Sequence, residues 1–368
     1  MRVVVAGGGS AGHIEPALAF ADALRRRHGD AVVTALGTER GLDTALIPAR
    51  GYPLELIPPV PVPRKLTALP DLLRVPGRLR GAVRVVADVL RGRDAQVVVG
   101  FGGYVAAPAY LAARRLRLPI VVHEANPSPG WANRLGAALT PYVATTWPGT
   151  PLRGARVVGL PIRESIATLD RLALRVEARA HFGLDPDRPT LLVFGGSQGA
   201  RRLNLAVAGA ADALAAAGIQ VVHATGPAQT VDLLRPAGGP PYVLVPYLDR
   251  MDLAYAAADL ALCRAGANTV TELTVLGLPA AFVPLPIGNG EQELIAAPVV
   301  AAGGGLLVRD ADCTAEWVRT RLVSLLLDPG RLATMSDAAR ATGRPDAADR
   351  LVDLVELAVA GPAERNGT

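Results

Sequence analysis

Each half of this sequence contains a short aliphatic run that leads directly into a glycine-rich segment. In the first half, residues 3–6 are followed by Gly-Gly-Gly-Ser-Ala-Gly-His. In the second half, residues 191–194 are followed by Gly-Gly-Ser-Gln-Gly-Ala-Arg. Each half repeats the arrangement after a later run, with Gly100, Gly102 and Gly103 in the first half and Gly266 in the second. Two Rossmann-like units in tandem explain this pattern better than one large sheet.

Short aliphatic runs recur along the whole chain, and helix-like segments separate them. Most of these runs lack polar alternation, which is typical of strands buried on both faces, as in parallel sheets. The predicted strands of the first half cover residues 3–6, 31–36, 54–57, 96–100, 120–123 and 142–145. Those of the second half cover residues 190–194, 220–224, 242–245, 260–263, 280–283 and 305–308. We therefore predict an α/β protein with two Rossmann-like parallel-sheet domains.

The length of 368 residues favours two or three domains. We expect an N-terminal domain over residues 1–160 and a second domain over residues 161–345, with the boundary near Gly-Leu-Pro-Ile at 159–162. The apolar helix expected at 346–360 would pack back on the first domain, and residues 361–368 would form a tail.

Composition and cysteine usage exclude several classes of protein. Cys263 and Cys313 are the two cysteines, too few for a disulfide framework or a metal quartet, which fits a reducing compartment. The N-terminal apolar run is too short for a signal-peptide core, and the uncharged stretch 273–290 contains three prolines. We therefore expect a soluble or peripheral protein that uses no metal. The net charge of +5 permits phosphate, nucleic-acid or anionic-membrane partners without choosing among them.

The first glycine turn places Gly7, Gly9 and Gly12 in the G-x-G-x-x-G pattern of dinucleotide-binding folds. Such a turn lets the backbone approach a phosphate at a helix N-terminus. No acidic residue closes the expected second strand, and a nicotinamide-binding turn has no need of His13, which argues against a dehydrogenase. His13 either caps the turn or, if it faces a cleft, takes a proton from an attacking hydroxyl.

A second polar cluster, His123-Glu124-Ala125-Asn126, follows a predicted buried strand. Polar side chains at that place are costly unless they are hydrogen-bonded or face a cleft. The spacing does not match a zinc-binding His-Glu-x-x-His motif. The cluster therefore either ties a turn or contributes to a site.

Two further segments suit a nucleotide sugar. Residues 265–273 form a glycine turn into a helix, with Glu272 about a turn and a half in. A carboxylate there accepts both hydroxyls of a ribose while the turn holds phosphates, or it is simply favoured near a helix N-terminus by the dipole. Residues 288–292 carry amides and a carboxylate on a loop, which suits hydroxyl-rich ligands such as sugars.

Residues 63–80 interleave leucines with basic residues in a proline-punctuated stretch. Anionic lipid attracts each nearby basic residue by about 1 kcal/mol, and apolar side chains insert beside them. The alternative is an ordinary amphipathic helix with a solvated basic face.

Taken together, these motifs resemble the MurG family of bacterial N-acetylglucosamine (GlcNAc) transferases, which have the GT-B fold. The resemblance runs over nearly the whole chain, and five or more such motifs in this order are highly specific. The matching parts are Gly-Gly-Ser-Ala-Gly-His-Ile-Glu-Pro-Ala (8–17), Gly-Phe-Gly-Gly-Tyr-Val (100–105), His-Glu-Ala-Asn (123–126), Gly-Gly-Ser-Gln-Gly-Ala-Arg (195–201), Arg-Ala-Gly (264–266) with Thr269 and Glu272, and the loop of Gln292.

The resemblance implies a GT-B protein whose two domains face a central cleft, without a cofactor. Its activity would be inverting transfer of GlcNAc from UDP-GlcNAc to the 4-hydroxyl of MurNAc in undecaprenyl-diphospho-MurNAc-pentapeptide, converting lipid I to lipid II in peptidoglycan synthesis. The enzyme would lie at the cell membrane as a peripheral protein on the cytoplasmic side. Its partners would be donor, acceptor and the anionic inner-leaflet surface, and no nucleic acid.

The resemblance places donor binding in the second domain. Glu272 would take the ribose hydroxyls, the backbone near Leu248 would contact the uracil, Arg163 would contact the nucleotide, and Gln292 would hold the GlcNAc hydroxyls. Ser197 and the 265–270 turn, with Ala267, Asn268, Thr269 and Val270, would hold the diphosphate. Gln198, Gly199 and Thr271 are further substrate-binding candidates.

The first domain would bind the lipid-linked acceptor. The candidates are Ser10, Ala11, Gly12, Gly102, Gly103, Tyr104 and Asn126. A base must remove the proton of the attacking hydroxyl; His13 is favoured for this role and Glu124 is the rival. Helix dipoles and N–H groups would stabilise the leaving diphosphate without a metal.

Two positions depart from the family pattern and leave the donor-sugar contacts less defined than the diphosphate contacts. Ile287 stands where members commonly carry histidine or a similar polar group, and Ile295 and Ala296 stand where an Asn-Ala pair is common.

The alternative functions are another GT-B UDP-sugar transferase acting on a lipid or small molecule, and a UDP-GlcNAc 2-epimerase. A nucleic-acid-binding protein lacks support from any aromatic platform or dense basic stripe, and a nicotinamide oxidoreductase ranks last.

Overall fold

The computed structural model describes residues 1–39, 41–60, 69–233 and 238–361, with residues 69–75 described by their backbone alone. Contacts divide the chain into two compact units. The first consists of Met1–Glu164 and the chain from Pro345 onward, and the second is Ser165–Arg344.

The first unit contains a parallel sheet of seven strands in the order β3-β2-β1-β4-β5-β6-β7. The strands are β1 (Arg2–Gly7), β2 (Val32–Gly37), β3 (Leu54–Leu56), β4 (Val97–Gly102), β5 (Ile120–Glu124), β6 (Val143–Thr145) and β7 (Arg156–Val157). The sequence did not predict β7, because its two residues, Arg and Val, form no aliphatic run.

The second unit contains a parallel sheet of six strands in the order β10-β9-β8-β11-β12-β13. The strands are β8 (Thr190–Phe194), β9 (Gln220–Ala224), β10 (Tyr242–Val245), β11 (Leu260–Cys263), β12 (Ala280–Phe282) and β13 (Gly305–Leu307). The predicted α/β class with two parallel-sheet units is confirmed.

Helices connect the strands of both units. They are α1 (Ala11–Arg27), α2 (Asp43–Ala49), α3 (Leu69–Gly92), α4 (Ala106–Arg115), α5 (Trp131–Ala137), α6 (Glu164–Ala167), α7 (Arg171–His181), α8 (Arg201–Ala208), α9 (Ala211–Ala216), α10 (Met251–Ala257), α11 (Ala267–Leu276), α12 (Glu291–Ala301), α13 (Ala315–Trp317), α14 (Val323–Leu326), α15 (Pro329–Thr342) and α16 (Ala347–Ala360). A 3-10 turn covers Asp310–Asp312, and a π-helical segment covers Val318–Leu322.

Alternate side chains of each central strand enter opposite core layers. In β1, Val3 and Val5 pack in a layer with α1 and α16, whereas Val4 packs in a layer with α3 and α4. Successive side chains of a strand point to opposite faces, so a strand covered on both sides needs an unbroken aliphatic run. This requirement is the physical reason for the aliphatic runs in the sequence.

Helix α16 belongs to the first unit and packs on α1. Its residues Leu351, Val352 and Val355 are fully buried in the same core layer as α1. At the end of α1, Arg26 and Arg27 form ion pairs with acidic side chains of α16. The C-terminal helix therefore completes the core of the N-terminal unit.

Both sheets have their topological switch point beside the first strand of the unit. The chain runs outward from β1 through β2 and then returns to β4 on the other side of β1; β8, β9 and β11 repeat this pattern. In open α/β sheets, ligands bind outside the carboxyl ends of the strands at such a point. The loops that follow β1, β4, β8 and β11 are therefore where a site is expected.

Within the described part of the chain, no helix has both the length and the hydropathy that crossing a bilayer requires. Most of the basic, leucine-rich stretch falls on residues 61–68 and on side chains of 69–75, outside what the structure describes.

Candidate functional site

The carboxyl ends of β1 and β4 lie side by side, and their turns meet through backbone atoms. Gly103 has φ +78°, and a Cβ there would lie 2.4 Å from the carbonyl oxygen of Gly8. A Cβ on Gly102 would lie 3.1 Å from Cε1 of His13. The absence of side chains at both glycines therefore lets the first turn of α1 bring His13 against the β4 turn.

Several predicted acceptor residues lie around this contact. Ser10 precedes α1, and its carbonyl oxygen accepts the N–H groups of His13 and Ile14 at 3.1 Å. Gly12 is exposed, Ala11 is half-buried, and the Tyr104 side chain is 43% exposed. Asn126 is half-buried in the loop after β5, the strand next to β4. The edge of the first sheet thus gathers the candidates that the sequence predicted there.

A buried carboxylate that sequence reasoning missed lies beneath the first glycine turn. Asp43, at the start of α2, is fully buried and accepts the N–H of Gly9 at 2.7 Å and the N–H of Thr38 at 2.9 Å. Hydrogen bonds to an ionised acceptor are among the stronger ones in proteins. The carboxylate therefore fixes the turn and occupies one of its N–H groups.

Glu124 is engaged by three donors at the end of β5. Its carboxylate accepts the N–H of Asn126 at 2.9 Å, the N–H of Gly130 at 3.1 Å and the Nδ2 group of Asn133 at 3.0 Å. The side chain is 2% exposed. This geometry ties the loop after β5 to α5.

The neighbouring His123 is fully buried, and burial lowers its pKa to about 4. Because a carbonyl only accepts, His123 Nε2 donates to the Gly159 oxygen at 2.8 Å. His123 therefore joins β5 to the chain beyond β7. It contributes to the fold in the neutral form.

Arg163 belongs to the first unit, whereas the other nucleotide candidates belong to the second. Its Nε atom lies 3.9 Å from Oε2 of Glu15 in α1. Arg163 therefore lies in a different unit from the other donor candidates.

In the second unit, the turn after β8 packs closely against the chain after β9 and accepts a hydrogen bond from one side-chain amide. Gly199 has φ +72°, and a Cβ there would lie 1.9 Å from the carbonyl oxygen of Thr225. The Nε2 group of Gln229 donates to the carbonyl oxygen of Gln198 at 3.2 Å. The turn consequently exposes Ser197 and Gln198 at the carboxyl edge of the sheet.

Helix α11 begins directly after β11, the strand next to β8. Gly266 caps its N-terminus in extended conformation, and the first N–H groups of a helix have no intrahelical acceptor. Ala267 and Thr269 are half-buried there, whereas the side chain of Val270 is fully buried, leaving only its backbone for a ligand. Among the described residues, Asn268 Oδ1 and Thr271 Oγ1 are buried without a hydrogen-bond partner.

Glu272 is half-buried in the second turn of α11, and a tyrosine orients it. The hydroxyl of Tyr255 donates to Oε2 of Glu272 at 2.7 Å. Tyr255 is 1% exposed and packs edge-on against Phe194, the last residue of β8. A fixed, partly exposed carboxylate beside a helix N-terminus can accept hydroxyl groups from a ligand.

Gln292 lies in the first turn of α12, and its side chain is turned partly inward. Its Oε1 accepts the N–H of Leu285 at 2.9 Å and the N–H of Ala265 at 3.2 Å. The residue therefore links the α11 turn to the loop after β12. Leu248, the expected uracil contact, is 9% exposed in the loop after β10.

The two departures from the family pattern differ in the structure. Ile287 is 74% exposed on the loop before α12, whereas Ile295 is 2% exposed and Ala296 is fully buried within α12. Ile295 and Ala296 therefore belong to the core, and of these three residues Ile287 is the one available to a ligand.

Over the described residues, no three His, Cys, Asp or Glu side chains are grouped so as to hold a metal ion.

Two family models match the chain. The glycosyltransferase family 28 N-terminal domain matches residues 3–145, and the glycosyltransferase family 28 C-terminal domain matches residues 190–351. A relative from Streptomyces avermitilis is 61% identical over 361 residues, covering 98% of this chain and 99% of its own. It is named UDP-N-acetylglucosamine–N-acetylmuramyl-(pentapeptide) pyrophosphoryl-undecaprenol N-acetylglucosamine transferase.

Solved structures agree with these matches. The crystal structure of Acinetobacter baumannii MurG has a TM-score of 0.76 at 28% identity and covers 96% of this chain and 99% of its own. A UDP-GlcNAc 2-epimerase from Neisseria meningitidis has a TM-score of 0.65 at 14% identity, covering 97% and 100%. At 14% identity, this similarity shows only that the epimerase and this chain share a fold. The shared fold is the reason that an epimerase was an alternative prediction from the sequence.

Proposed function

The chain belongs to glycosyltransferase family 28, and from this premise we propose that it transfers GlcNAc from UDP-GlcNAc to the MurNAc of undecaprenyl-diphospho-MurNAc-pentapeptide. The relative of 61% identity carries that activity in its name. The observation that carries the proposal is the pair of turns after β8 and β11: the first is exposed, and the second leads into α11 with its oriented Glu272.

The second unit binds the donor in this proposal. The N–H groups at the start of α11 and the exposed Ser197 turn meet the diphosphate, because a helix N-terminus favours an anion. The buried oxygen of Asn268 and the Thr271 hydroxyl lie at the same helix end. Glu272 accepts the ribose hydroxyls, and the Tyr255 hydroxyl keeps its carboxylate in place. The inward Oε1 of Gln292 leaves its Nε2 group for the GlcNAc hydroxyls.

The first unit binds the acceptor and supplies the base. The 4-hydroxyl oxygen attacks the anomeric carbon from the face opposite UDP; a new C–O bond forms as the bond from that carbon to the diphosphate oxygen breaks. The hydroxyl proton passes to His13, and the negative charge passes to the leaving UDP. We favour His13 over Glu124 because three donors already hold the Glu124 carboxylate.

We also propose that the enzyme works at the surface of an anionic membrane. A groove of about 430 Å³ between α3 and α4 is lined by Arg80, Arg84, Arg91 and Arg115 together with Leu79 and Leu111. Exposed basic side chains beside apolar ones suit anionic headgroups, each basic residue adding about 1 kcal/mol. The groove continues the basic stretch that the sequence predicted to dock on lipid.

The first test is transfer of labelled GlcNAc from UDP-GlcNAc to a short-chain lipid-linked MurNAc-pentapeptide in the presence of EDTA. We expect steady product formation. Donor binding without product would move the acceptor to another lipid or small molecule. Conversion of UDP-GlcNAc to its 2-epimer without acceptor would favour the epimerase, and failure to bind UDP-GlcNAc would overturn the proposal.

The membrane proposal has its own test. We expect Arg80→Ala/Arg84→Ala to lose sedimentation with phosphatidylglycerol vesicles while retaining transfer to a water-soluble acceptor. Arg309→Ala/Arg350→Ala removes the same charge from exposed ion pairs elsewhere and serves as the control. Equal sedimentation of both variants would contradict a docking role for the groove.

A further inference from the structure

An acidic residue that no sequence motif pointed to joins the loops of the second unit at its carboxyl edge. Asp310 opens the 3-10 turn that follows β13, and its side chain is 16% exposed. Its Oδ1 atom lies 2.6 Å from Nη1 of Arg264, and its Oδ2 atom lies 3.6 Å from Nε of Arg202. One carboxylate therefore faces two guanidinium groups from two different elements.

Arg264 connects Asp310 to the turns proposed to bind the donor. It directly precedes the turn that leads into α11, and its side chain is 12% exposed. Its Nη1 donates to the carbonyl oxygens of Val283 and Pro284 at 3.1 Å, where the chain leaves β12 for the Gln292 loop. Arg264 thus turns away from its own glycine turn and fixes the beginning of the next loop.

Arg202 extends the cluster to the remaining turn. It lies in the first turn of α8, just after the Gly195–Gly199 segment, and is 47% exposed. The same charges act on Cys313: burial and then Asp310 raise the pKa of this thiol, both arginines oppose the rise, and the resulting pKa is about 11. The loops after β8, β11, β12 and β13 therefore share one charged cluster.

We propose that Asp310 is a positioning residue for the donor site, which holds the diphosphate turn and the Gln292 loop in register through Arg264 and Arg202. The inference rests on the proposed function, since it assumes that these loops bind UDP-GlcNAc. Without the carboxylate, the nearly buried Arg264 keeps an uncompensated charge, a costly state that it relieves by leaving the carbonyls of Val283 and Pro284. Asp310 itself touches no substrate in this scheme.

The test compares Asp310→Asn with Asp312→Asn. Asp312 lies in the same 3-10 turn, but it is half-exposed and pairs with the exposed Arg309. We expect Asp310→Asn to raise the KM for UDP-GlcNAc at least about tenfold, because removing one partner of a largely buried ion pair leaves the other charge uncompensated. The acceptor KM should stay within about twofold, because the proposed acceptor residues belong to the other unit. Asp310→Glu, which keeps the charge, should recover part of the loss.

Arg175→Gln serves as a second control, which separates a specific effect on the donor site from a general loss of stability. Arg175 pairs with Asp259 at the amino end of β11, the opposite edge of the same sheet. Its replacement should lower the melting temperature without moving the donor KM. A donor KM for Asp310→Asn within about twofold of native, or an equal rise in Arg175→Gln, would overturn the positioning role.

Hydrogen exchange of the ligand-free protein tests the same inference without the reaction. The N–H groups of Ala265 and Leu285 both donate to Gln292, so they report the register of the two loops. We expect faster exchange of both in Asp310→Asn and unchanged exchange in Asp312→Asn. If the native protein fails to bind UDP-GlcNAc, the proposed function fails; unchanged exchange in Asp310→Asn overturns the positioning role independently.

Discussion

The glycine turns after β1 and β8 occupy the same place in their sheets, but the two units hold them by opposite means. Beneath the first turn, the fully buried carboxylate of Asp43 accepts the N–H of Gly9 at 2.7 Å. Beneath the second turn, the amide of Gln229 donates to the carbonyl oxygen of Gln198 at 3.2 Å. One turn is therefore held through its N–H group and the other through a carbonyl.

The two turns therefore suit different groups of a ligand. A buried carboxylate uses up a donor and adds negative charge, so it disfavours a phosphate close to Gly9. A turn held through its carbonyl leaves its N–H groups for an anion. The comparison favours the sugar hydroxyls of the acceptor beside the first turn, where His13 lies, and the donor diphosphate beside the second.

Replacement of His13 tests the role of the first turn and should have the greatest effect on activity. If the first turn serves the chemical step, His13→Ala should lower kcat by about 10²–10⁴-fold, the usual contribution of a general base, with little change in the donor KM. Steady-state kinetics with both substrates measure this. His28→Ala, at the far end of α1, is the control.

Glu124 provides the discriminating variant. Glu124→Gln should mainly lower thermal stability, because a carboxylate that accepts three hydrogen bonds is replaced by a group that also donates. A loss of kcat in Glu124→Gln larger than that in His13→Ala would assign the base to Glu124 instead.

The second half of the comparison depends on the packing of Gly199. Gly199→Ala places a Cβ 1.9 Å from the Thr225 oxygen, so the turn must move. We expect the donor KM to rise by about 100-fold, the penalty of a misplacement of about 1 Å, with the acceptor KM nearly constant. Gly183→Ala is the control, because it has φ +63° and no atom within 4 Å of the added Cβ. An equal rise of the donor KM in both variants would show that backbone strain alone, and not the packing of Gly199, causes the effect.

The acid beneath the first turn gives a smaller effect. Asp43→Asn should lower the free energy of unfolding by about 2–3 kcal/mol, because hydrogen bonds to a charged acceptor are replaced in a buried place. Denaturant unfolding measures this loss. Asp30→Asn, whose side chain is 85% exposed, should stay within about 0.5 kcal/mol of native. Native-like stability in Asp43→Asn would show that the two turns do not differ in the way described.

The sequence could predict most of the architecture because strand burial leaves a local pattern. Each of the twelve predicted aliphatic runs corresponds to a strand. The turns at 7–13, 195–201 and 265–270 were likewise visible, because a strand followed by glycines and a helix is a local signal. Among the strands of the described residues, β7, with two residues, is the one that the sequence did not predict.

The supports of the site could not be predicted, because they depend on contacts distant in sequence. Asp43 reaches Gly9 across 34 positions, and Gln229 reaches Gln198 across 31. Arg264 meets Asp310 only after two intervening strands have brought them to one edge. An acid with no motif around it looks like any other surface acid until the sheet order is known.

A buried histidine in each unit provides the last and smallest contrast. Burial lowers the pKa of both His123 and His223 from 6.5 to about 4. His223 accepts from the Tyr242 hydroxyl at Nδ1 and donates from Nε2 to Asn204 Oδ1, at 2.9 and 3.0 Å. Asn204 in turn donates to Gln229, which holds the second turn. The histidine of the second unit is thus linked to its turn through side chains, whereas that of the first unit bonds to Gly159.

Because both pKa values are lower in the folded protein, the unfolded chain binds more protons between pH 6.5 and 4. Stability is therefore complete above pH 6.5 and falls as the pH is lowered, by about 1.4 kcal/mol per pH unit for each histidine. Melting temperatures measured from pH 7.5 to 5 should show this slope, and His223→Gln should flatten it. Replacement of the exposed His181 controls for loss of a ring. If His223→Gln also raises the donor KM while His123→Gln does not, the hydrogen-bonded side chains between His223 and Gln198 support the second turn. Equal donor KM values in the two variants would show that both histidines contribute to stability alone.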